Sequence, residues 1–326
     1  MAAPTVTQHA SEMRRGIRQA RRVVIKVGTP TVTHVDGTLA LGRIGSIVEQ
    51  IARMRQEGRD VVIVTSGAIS TGAVRMRKSM TLATSMGDTV MRGYEPPIDA
   101  PGASAVGQAL LMNMYETLFS KYNLSCAQLL TTEDDLNDLE TLSQVCDATM
   151  ELLSLGTVPI LNDNDAVTGR TIAVIDDQTN EVRWDNDVLA SRIASALRAD
   201  LLVMLTDLDA LYVAPEKEGS APTRLPIYCD GADLVRSGIR SEQLLLSDNG
   251  RGSFAGRTRM AEVCMQSLVD ASRAAVANGV RAAVVTTGHH PLALVQTVRG
   301  EDVGTLFVAP PPTAAAGGSG MLLSKL

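Results

Sequence analysis

A single lysine interrupts a run of strand-forming residues near the start of the chain. In Val23-Val24-Ile25-Lys26-Val27-Gly28-Thr29 the apolar neighbours read as a buried strand, so the charge of Lys26 calls for a partner. Taking an ammonium out of water costs on the order of several kcal/mol unless it meets an anion. Gly28 lets a backbone approach that anion closely, and a phosphate suits both features. A strand-end lysine can also lay its stem along apolar surface and keep its head in solvent. The stretch alone leaves both readings open.

A second set of residues has the opposite character. In Thr65-Ser66-Gly67-Ala68 a glycine permits a tight turn and the amides that follow open a helix, which makes an anion site. Thr157-Val158-Pro159-Ile160-Leu161 delivers Asn162-Asp163-Asn164-Asp165 to a strand end, where ligands bind in open α/β sheets. Small polar residues recur at Asp185-Asn186-Asp187. A carboxylate such as Asp165 can accept from an α-ammonium, while Asn162, Asn186 and the Ser66-Gly67 turn can donate to carboxylates. These groups suit a small zwitterion. The cations Lys26 and Arg257 suit charge developing on a transferring phosphoryl group, where catalysis is largely positioning and electrostatics.

Arg257 closes a glycine-rich stretch, Gly250-Arg251-Gly252-Ser253-Phe254-Ala255-Gly256-Arg257, which is expected to open a long helix running to Ala277. A turn of this kind is a plausible phosphate cradle, although flexible surface turns share its composition. Its spacing does not match the dinucleotide fingerprint, and the chain has neither a G-x-x-x-x-G-K-[ST] loop nor the protein-kinase signatures.

Alternating strands and helices must position these residues. Leu41 to Glu57 places Ile44, Ile47, Val48, Ile51 and Met54 on one face of a helix that stops at Gly58, and Asp60-Val61-Val62-Ile63-Val64 is a fully apolar strand. Strand, helix and strand at this spacing form a βαβ unit with parallel strands. Met76 to Gly102 is expected to be an irregular, mobile surface loop. Helices are predicted at Ala105 to Phe119, Leu142 to Ser154 and Val188 to Leu197, and strands at Cys126 to Leu130, Leu201 to Leu205 and Arg281 to Val285. Thr171 to Ile175 should pair with Glu181 to Trp184, and a Pro-rich excursion follows Tyr212 as far as Pro226. The Arg-rich segment from Ala10 to Arg22 reads as a helix leading into the first strand rather than an organelle presequence.

Composition narrows the function further. With 326 residues and 45% apolar content the chain can bury a large core, and no linker separates two cores before Pro310. A net charge of −6, three Phe and one Trp argue against a nucleic-acid partner. No apolar run reaches the roughly 18 residues of a membrane span, so no membrane partner is expected, and residues 1–22 lack the apolar middle of a secretory signal. The expectation is a soluble intracellular protein. Cys126, Cys146, Cys229 and Cys264 are scattered without a metal-binding spacing and read as reduced, mostly packed thiols. No metal ligands are assigned.

Seven segments in order resemble the amino-acid-kinase family, and within it the branch that acts on glutamate. They are Ile25 to Thr29, Val64 to Ala68, Ala105-Val106-Gly107-Gln108, Val158 to Val167, Asp185-Asn186-Asp187, Leu205-Thr206-Asp207 and Val303-Gly304-Thr305-Leu306-Phe307. The resemblance spans Val23 to about Ala309. It divides the chain into a lead-in helix or tail (1–22), a kinase domain (23–309) and a flexible tail (310–326). It implies a three-layer αβα sandwich around an eight-stranded, mainly parallel sheet. The implied activity is ATP-dependent phosphorylation of the side-chain carboxylate of L-glutamate to an acyl phosphate, the first step of proline biosynthesis, with proline as feedback inhibitor. Mg2+ would come with the nucleotide. A sensor of the same fold that binds without turnover, or a family enzyme for another carboxylate substrate, are the competing readings.

Carried over by motif, Ser66, Gly67, Asn162, Asp165 and Asn186 would hold glutamate. Lys26 would bridge the phosphates, Asp187 would orient the cations, and Arg257 would assist transfer. Gly28, Thr29, Thr206, Asp207, Tyr212, Gly250, Arg251, Gly252, Ser253 and Phe254 would line the nucleotide. Three departures stand out against the family pattern. Arg257 occupies the place of a lysine, with Ser253 and Phe254 in place of a Gly-Met pair, and arginine is a permanent fork rather than a point charge. Ala210 replaces a glycine, which is costly if that residue needs a positive φ. The chain is expected to lack the appendages of bacterial relatives and the fused reductase of animal and plant ones. A homo-oligomer, dimer or tetramer, is implied. The proline-, glycine- and alanine-rich tail presents Ser324-Lys325-Leu326, the tripeptide read by the peroxisomal import receptor, so a peroxisome-type organelle is the expected location and the cytoplasm the alternative.

Overall fold

A computed structural model describes residues 6–83, 99–168, 174–175, 182–213, 222–229, 244–245 and 259–310. Eight strands form its main sheet: β1 (Arg22–Val27), β2 (Asp60–Thr65), β3 (Cys126–Thr131), β4 (Val158–Asp163), β5 (Leu201–Thr206), β6 (Ile227–Cys229), β7 (Ala282–Thr287) and β8 (Thr305–Val308). Their order is β6-β8-β7-β5-β1-β2-β4-β3. All neighbours run parallel except β7 and β8. The main helices are α1 (Val6–Ile17), α2 (Leu41–Gln56), α3 (Ala68–Ala83), α4 (Ala100–Ser120), α5 (Leu139–Ser154), α6 (Asn186–Ala196), α7 (Arg259–Ala277) and α8 (Ala293–Val298).

The central strands are apolar throughout because both faces of the sheet are covered. Alternate side chains divide between two cores. Val23, Ile25, Ile63 and Val203 meet residues of α2, α4 and α8, whereas Val24, Val62, Leu161 and Leu202 meet residues of α5, α6 and α7. Lys26 shares the parity of Val24 and so points toward the α6 side. Parallel register aligns the strand ends: Val27 lies opposite both Thr65 and Leu205, and Val64 lies opposite Leu161. Gly28, Ser66, Asn162 and Thr206 therefore come out along one edge of the sheet.

Several expected boundaries move. The stretch expected to be irregular from Met76 to Gly102 is helical at both ends, since α3 continues to Ala83 and α4 starts at Ala100 with a proline in its first turn. Between them, 84–98 lie outside the described residues. The Pro-rich excursion contains Thr223–Leu225, which pairs with Leu211–Val213, and then β6, an edge strand of the main sheet. The expected hairpin is a short pairing of Val174–Ile175 with Val182–Trp184. Helix α1 begins and ends earlier than expected and is bonded into the domain. Arg14 donates to the carbonyls of Glu301, Val303 and Pro226 and pairs with Asp302 at 2.9 Å. No described helix is long and apolar enough to cross a membrane.

Helices α3 and α4 cross at a point where neither tolerates a side chain. A Cβ on Gly72 would fall on the carbonyl oxygen of Ala103, and one on Gly107 would fall on that of Ala68. The crossing fixes how far α4 stands from the turn at Ser66-Gly67. Gly72→Ala must push the helices apart, and overpacking of this kind costs about 1–3 kcal/mol. A thermal melt should place this variant several degrees below wild type, whereas Gly45→Ala, on a helix position with open space around it, should melt at or above wild type.

Candidate functional site

The charge of Lys26 is resolved by Asp187. The two side chains pair at 2.7 Å and are only about a tenth exposed, 11% and 10%. Lys26 is therefore buried with an anionic partner and does not snorkel to solvent. Gly28 belongs to the same arrangement, because a Cβ there would stand 3.2 Å from Lys26 Nζ and 3.1 Å from the carbonyl oxygen of Leu205. Asp187 is pulled two ways. Burial pushes its carboxyl up, the Lys26 ammonium holds it down, nearby Asp185 raises it again, and the balance is about 6. At neutral pH Asp187 is mostly ionised.

Asp185 builds the helix that carries Asp187. Its Oδ1 accepts from the amides of Asp187 and Val188, each at 2.9 Å, and its Oδ2 accepts from Ser267 Oγ at 2.6 Å. This N-cap starts α6 at Asn186, two residues before the expected start.

Around this pair lies a chain of side-chain amides. Asn186 Nδ2 donates to Ser66 Oγ and to Asn162 Oδ1, both at 3.0 Å, and Asn162 Nδ2 donates to Gln108 Oε1 at 2.7 Å. The Asp163 amide donates to Asn162 Oδ1 at 3.0 Å and more weakly to Asn186 Oδ1 at 3.3 Å. Ser66 directly precedes Gly67, whose left-handed φ of +95° makes the turn and where a Cβ would strike Val32. Since Ser66 Oγ accepts from Asn186, its own hydroxyl proton is left to donate.

Asp165 stands at the start of the short helix Asp165–Thr168 and accepts from Ser104 Oγ at 3.4 Å. Burial and the neighbouring Asp163 charge push its carboxyl up to about 7, with Ser104 opposing them weakly. A cation beside Asp165 would relieve that strain, so this end of the site favours an ammonium.

The nucleotide candidates are placed in part. Thr206 and Asp207 continue β5 next to Gly28, with Thr206 Oγ1 donating to Asp207 Oδ1 at 2.9 Å, and Tyr212 OH donates to Asp209 Oδ2 at 3.0 Å. Thr29 opens the short helix Thr29–Val32. Gly250, Arg251, Gly252, Ser253, Phe254 and Arg257 lie outside the described residues. Ala210 is fully buried, and among the described residues only Asn123 and Arg198 have a positive φ without being glycine, so its replacement of a glycine carries no such strain. Among the described residues no group of three His, Cys, Asp or Glu could hold a metal. Cys126 and Cys146 are half-buried and Cys229 is buried, all as free thiols.

Sequence reasoning gave no role to Ser104 or Gln108. They sit one helical turn apart on α4 and reach Asp165 and Asn162. A polar pair at that spacing beside Gly107 was the available signal.

A buried lysine near a parallel strand end faces a carboxylate beside a network of side-chain amides, on an αβα sandwich. The chain belongs to the Amino acid kinase family, whose sequence pattern matches residues 21–287. It is 36% identical over 90% of its length to the glutamate 5-kinase of Symbiobacterium thermophilum and covers 98% of that protein. It is 35% identical over 89% of its length to Delta-1-pyrroline-5-carboxylate synthase of Mesembryanthemum crystallinum, of which it spans only 38%. Among solved structures, the carbamate kinase of Giardia lamblia bound to AMP-PNP shares the fold at a TM-score of 0.56, with 13% identity and coverage of 90% and 100% of the two chains.

Asp165 generates a prediction about stability. Its folded pKa of about 7 lies above the unfolded value of 3.8, so the unfolded chain releases its proton first as pH rises. The folded state thus loses stability across that interval and carries the full penalty above it. Asp165→Asn should melt higher than wild type at pH 8, and the gap should shrink toward pH 5 and below. Equal melting at pH 8 would count against the burial strain.

Proposed function

We propose that this chain transfers the terminal phosphoryl group of ATP to the side-chain carboxylate of L-glutamate, giving L-glutamyl 5-phosphate, the first step toward proline. The observation that carries the reading is the buried Lys26–Asp187 pair standing beside the Ser66, Asn162 and Asn186 network, with the cation-seeking Asp165 at the other end. Likeness to a named glutamate 5-kinase along nearly the whole of that protein supports it.

The residues divide the work by charge. Asp165 takes the substrate ammonium, and Ser66 with the amides of Asn162 and Asn186 orients the carboxylates. A glutamate side chain has a pKa near 4.3, so at neutral pH it is already a nucleophile and needs no general base. Asp187 therefore serves to hold Lys26 in place. Lys26 then stabilises the charge that builds on the phosphoryl oxygens, and Gly28 leaves room for phosphate beside it. ATP supplies the phosphoryl group, with Thr206 and Asp207 on its side of the site. Because Asp187 is engaged by Lys26, Mg2+ would be held mainly by the nucleotide phosphates. Proline would compete at the glutamate subsite, and a homo-oligomer would be the working form.

A hydroxamate assay with glutamate, ATP and magnesium should detect the acyl phosphate; no product above background at saturating substrate would remove the proposal. Lys26→Ala should lower turnover by about 10³-fold or more, the scale seen for loss of a preorganised transition-state donor, while Arg257→Lys should preserve or raise it. The kcat/KM for glutamate should fall about tenfold per pH unit below pH ~7, as Asp165 takes up a proton and can no longer accept the ammonium. A flat profile between pH 5 and 7 would exclude that role for Asp165.

The tripeptide Ser324-Lys325-Leu326 supports a separate proposal, import into a peroxisome-type organelle. Deleting it should leave a fluorescent fusion cytosolic, and an unchanged punctate pattern would overturn the import.

A further inference from the structure

We infer that Gln108 is a further substrate-binding residue, donating its side-chain amide to the α-carboxylate of the amino-acid substrate; this rests on the reading of the site given above. The orientation of the amide chain follows from one backbone group. The Asp163 N–H can only donate, and it donates to Asn162 Oδ1. Asn162 must then turn Nδ2 toward Gln108, and Gln108 must meet it with Oε1. The free end of Gln108 is thereby its donor end, Nε2. That atom is buried, the residue is only 7% exposed, and Nε2 has no hydrogen-bond partner among the described residues.

A buried donor left unmade is costly, and a carboxylate is the acceptor that returns most. Position identifies which carboxylate. Gln108 lies one turn along α4 from Ser104, whose hydroxyl touches Asp165, and Asp165 is the group that seeks an ammonium. In an α-amino acid the ammonium and the α-carboxylate share one carbon, so a donor on this side of the site meets the α-carboxylate. The side-chain carboxylate extends the other way, toward Lys26 and Asp187.

The residue therefore sets specificity for a free α-carboxylate. The test compares glutamate with its 1-amide, in which that carboxylate alone is replaced by a carboxamide, in wild type, Gln108→Glu and Gln108→Leu. Gln108→Glu keeps the acceptor for Asn162 and nearly the same shape, so it serves if the leucine variant does not fold; thermal melts check both. Wild-type turnover of glutamate is measured first, and its absence would remove the activity itself rather than this assignment alone. With an active wild type, both variants should raise the KM for glutamate about tenfold or more, as expected for loss of a charge-assisted hydrogen bond, with kcat changed less than about twofold. The preference for glutamate over the 1-amide should fall by the same factor. A KM within about twofold of wild type, or an equal loss for both substrates, would overturn the inference, the latter by showing that Gln108 only positions Asn162.

Discussion

The ion pair between Lys26 and Asp187 is the constraint around which the sheet edge is arranged. Each ion gives up hydration worth several kcal/mol in effective terms, and their attraction repays that only in part, which is why Asp187 remains pushed up to about 6 despite a lysine at 2.7 Å. An apolar pair of similar volume would fold at least as well. Retention of the charges is better explained by chemistry. A lysine held by a carboxylate at one rotamer needs no reorganisation when negative charge develops beside it, and the missing side chain of Gly28 leaves the approach open.

The two ends of the site are strained in opposite senses. Near Lys26 the described residues present a cation already paired with Asp187. Near Asp165 the Asp163 charge pushes its carboxyl up and the Ser104 hydroxyl opposes that. Between them the side-chain amides of Asn162, Asn186 and Gln108 carry no net charge, so they orient without choosing a sign. On the proposed reading, a dipolar molecule with its ammonium at Asp165 would relieve one end and direct its far carboxylate to the other. The proposed binding orientation thus follows from charge. The cost falls on the unliganded protein, which is the usual exchange of stability for function.

Much of this was legible in the sequence, because buried parallel strands leave long apolar runs and functional residues cluster where those runs stop. The positions of Lys26, Ser66, Asn162 and Asp165 at or just beyond strand ends follow from that rule, whereas Asn186 and Asp187 open helix α6. The short strands at the β6 side of the sheet were not legible. β6 and β8 are only three and four residues long, and Pro226 immediately precedes β6, so neither carries a periodic signal. The starts of α4 and α6 were legible in principle, since Pro101 suits a first helical turn and Asp185 is a strong N-cap. Gln108 had a weaker signal, its place in Ala105-Val106-Gly107-Gln108 and its spacing from Ser104; an amide on a helix is ordinarily a surface residue, and only the strand packed against it buries this one.

The glycine crossing joins these observations. Helix α3 springs directly from the Ser66-Gly67 turn, and α4 carries Ser104 and Gln108. The separation of the two helices is set by contact between backbones at Gly72 and Gly107, with no flexible side chain between them to absorb a shift. Side-chain amides discriminate only when donor and acceptor meet within a few tenths of an ångström. Backbone-to-backbone contact is the stiffest spacer a pair of helices can have, and here it lies one residue from Gln108. The precision of the substrate side of the site is therefore a property of the helix crossing as much as of the polar residues themselves.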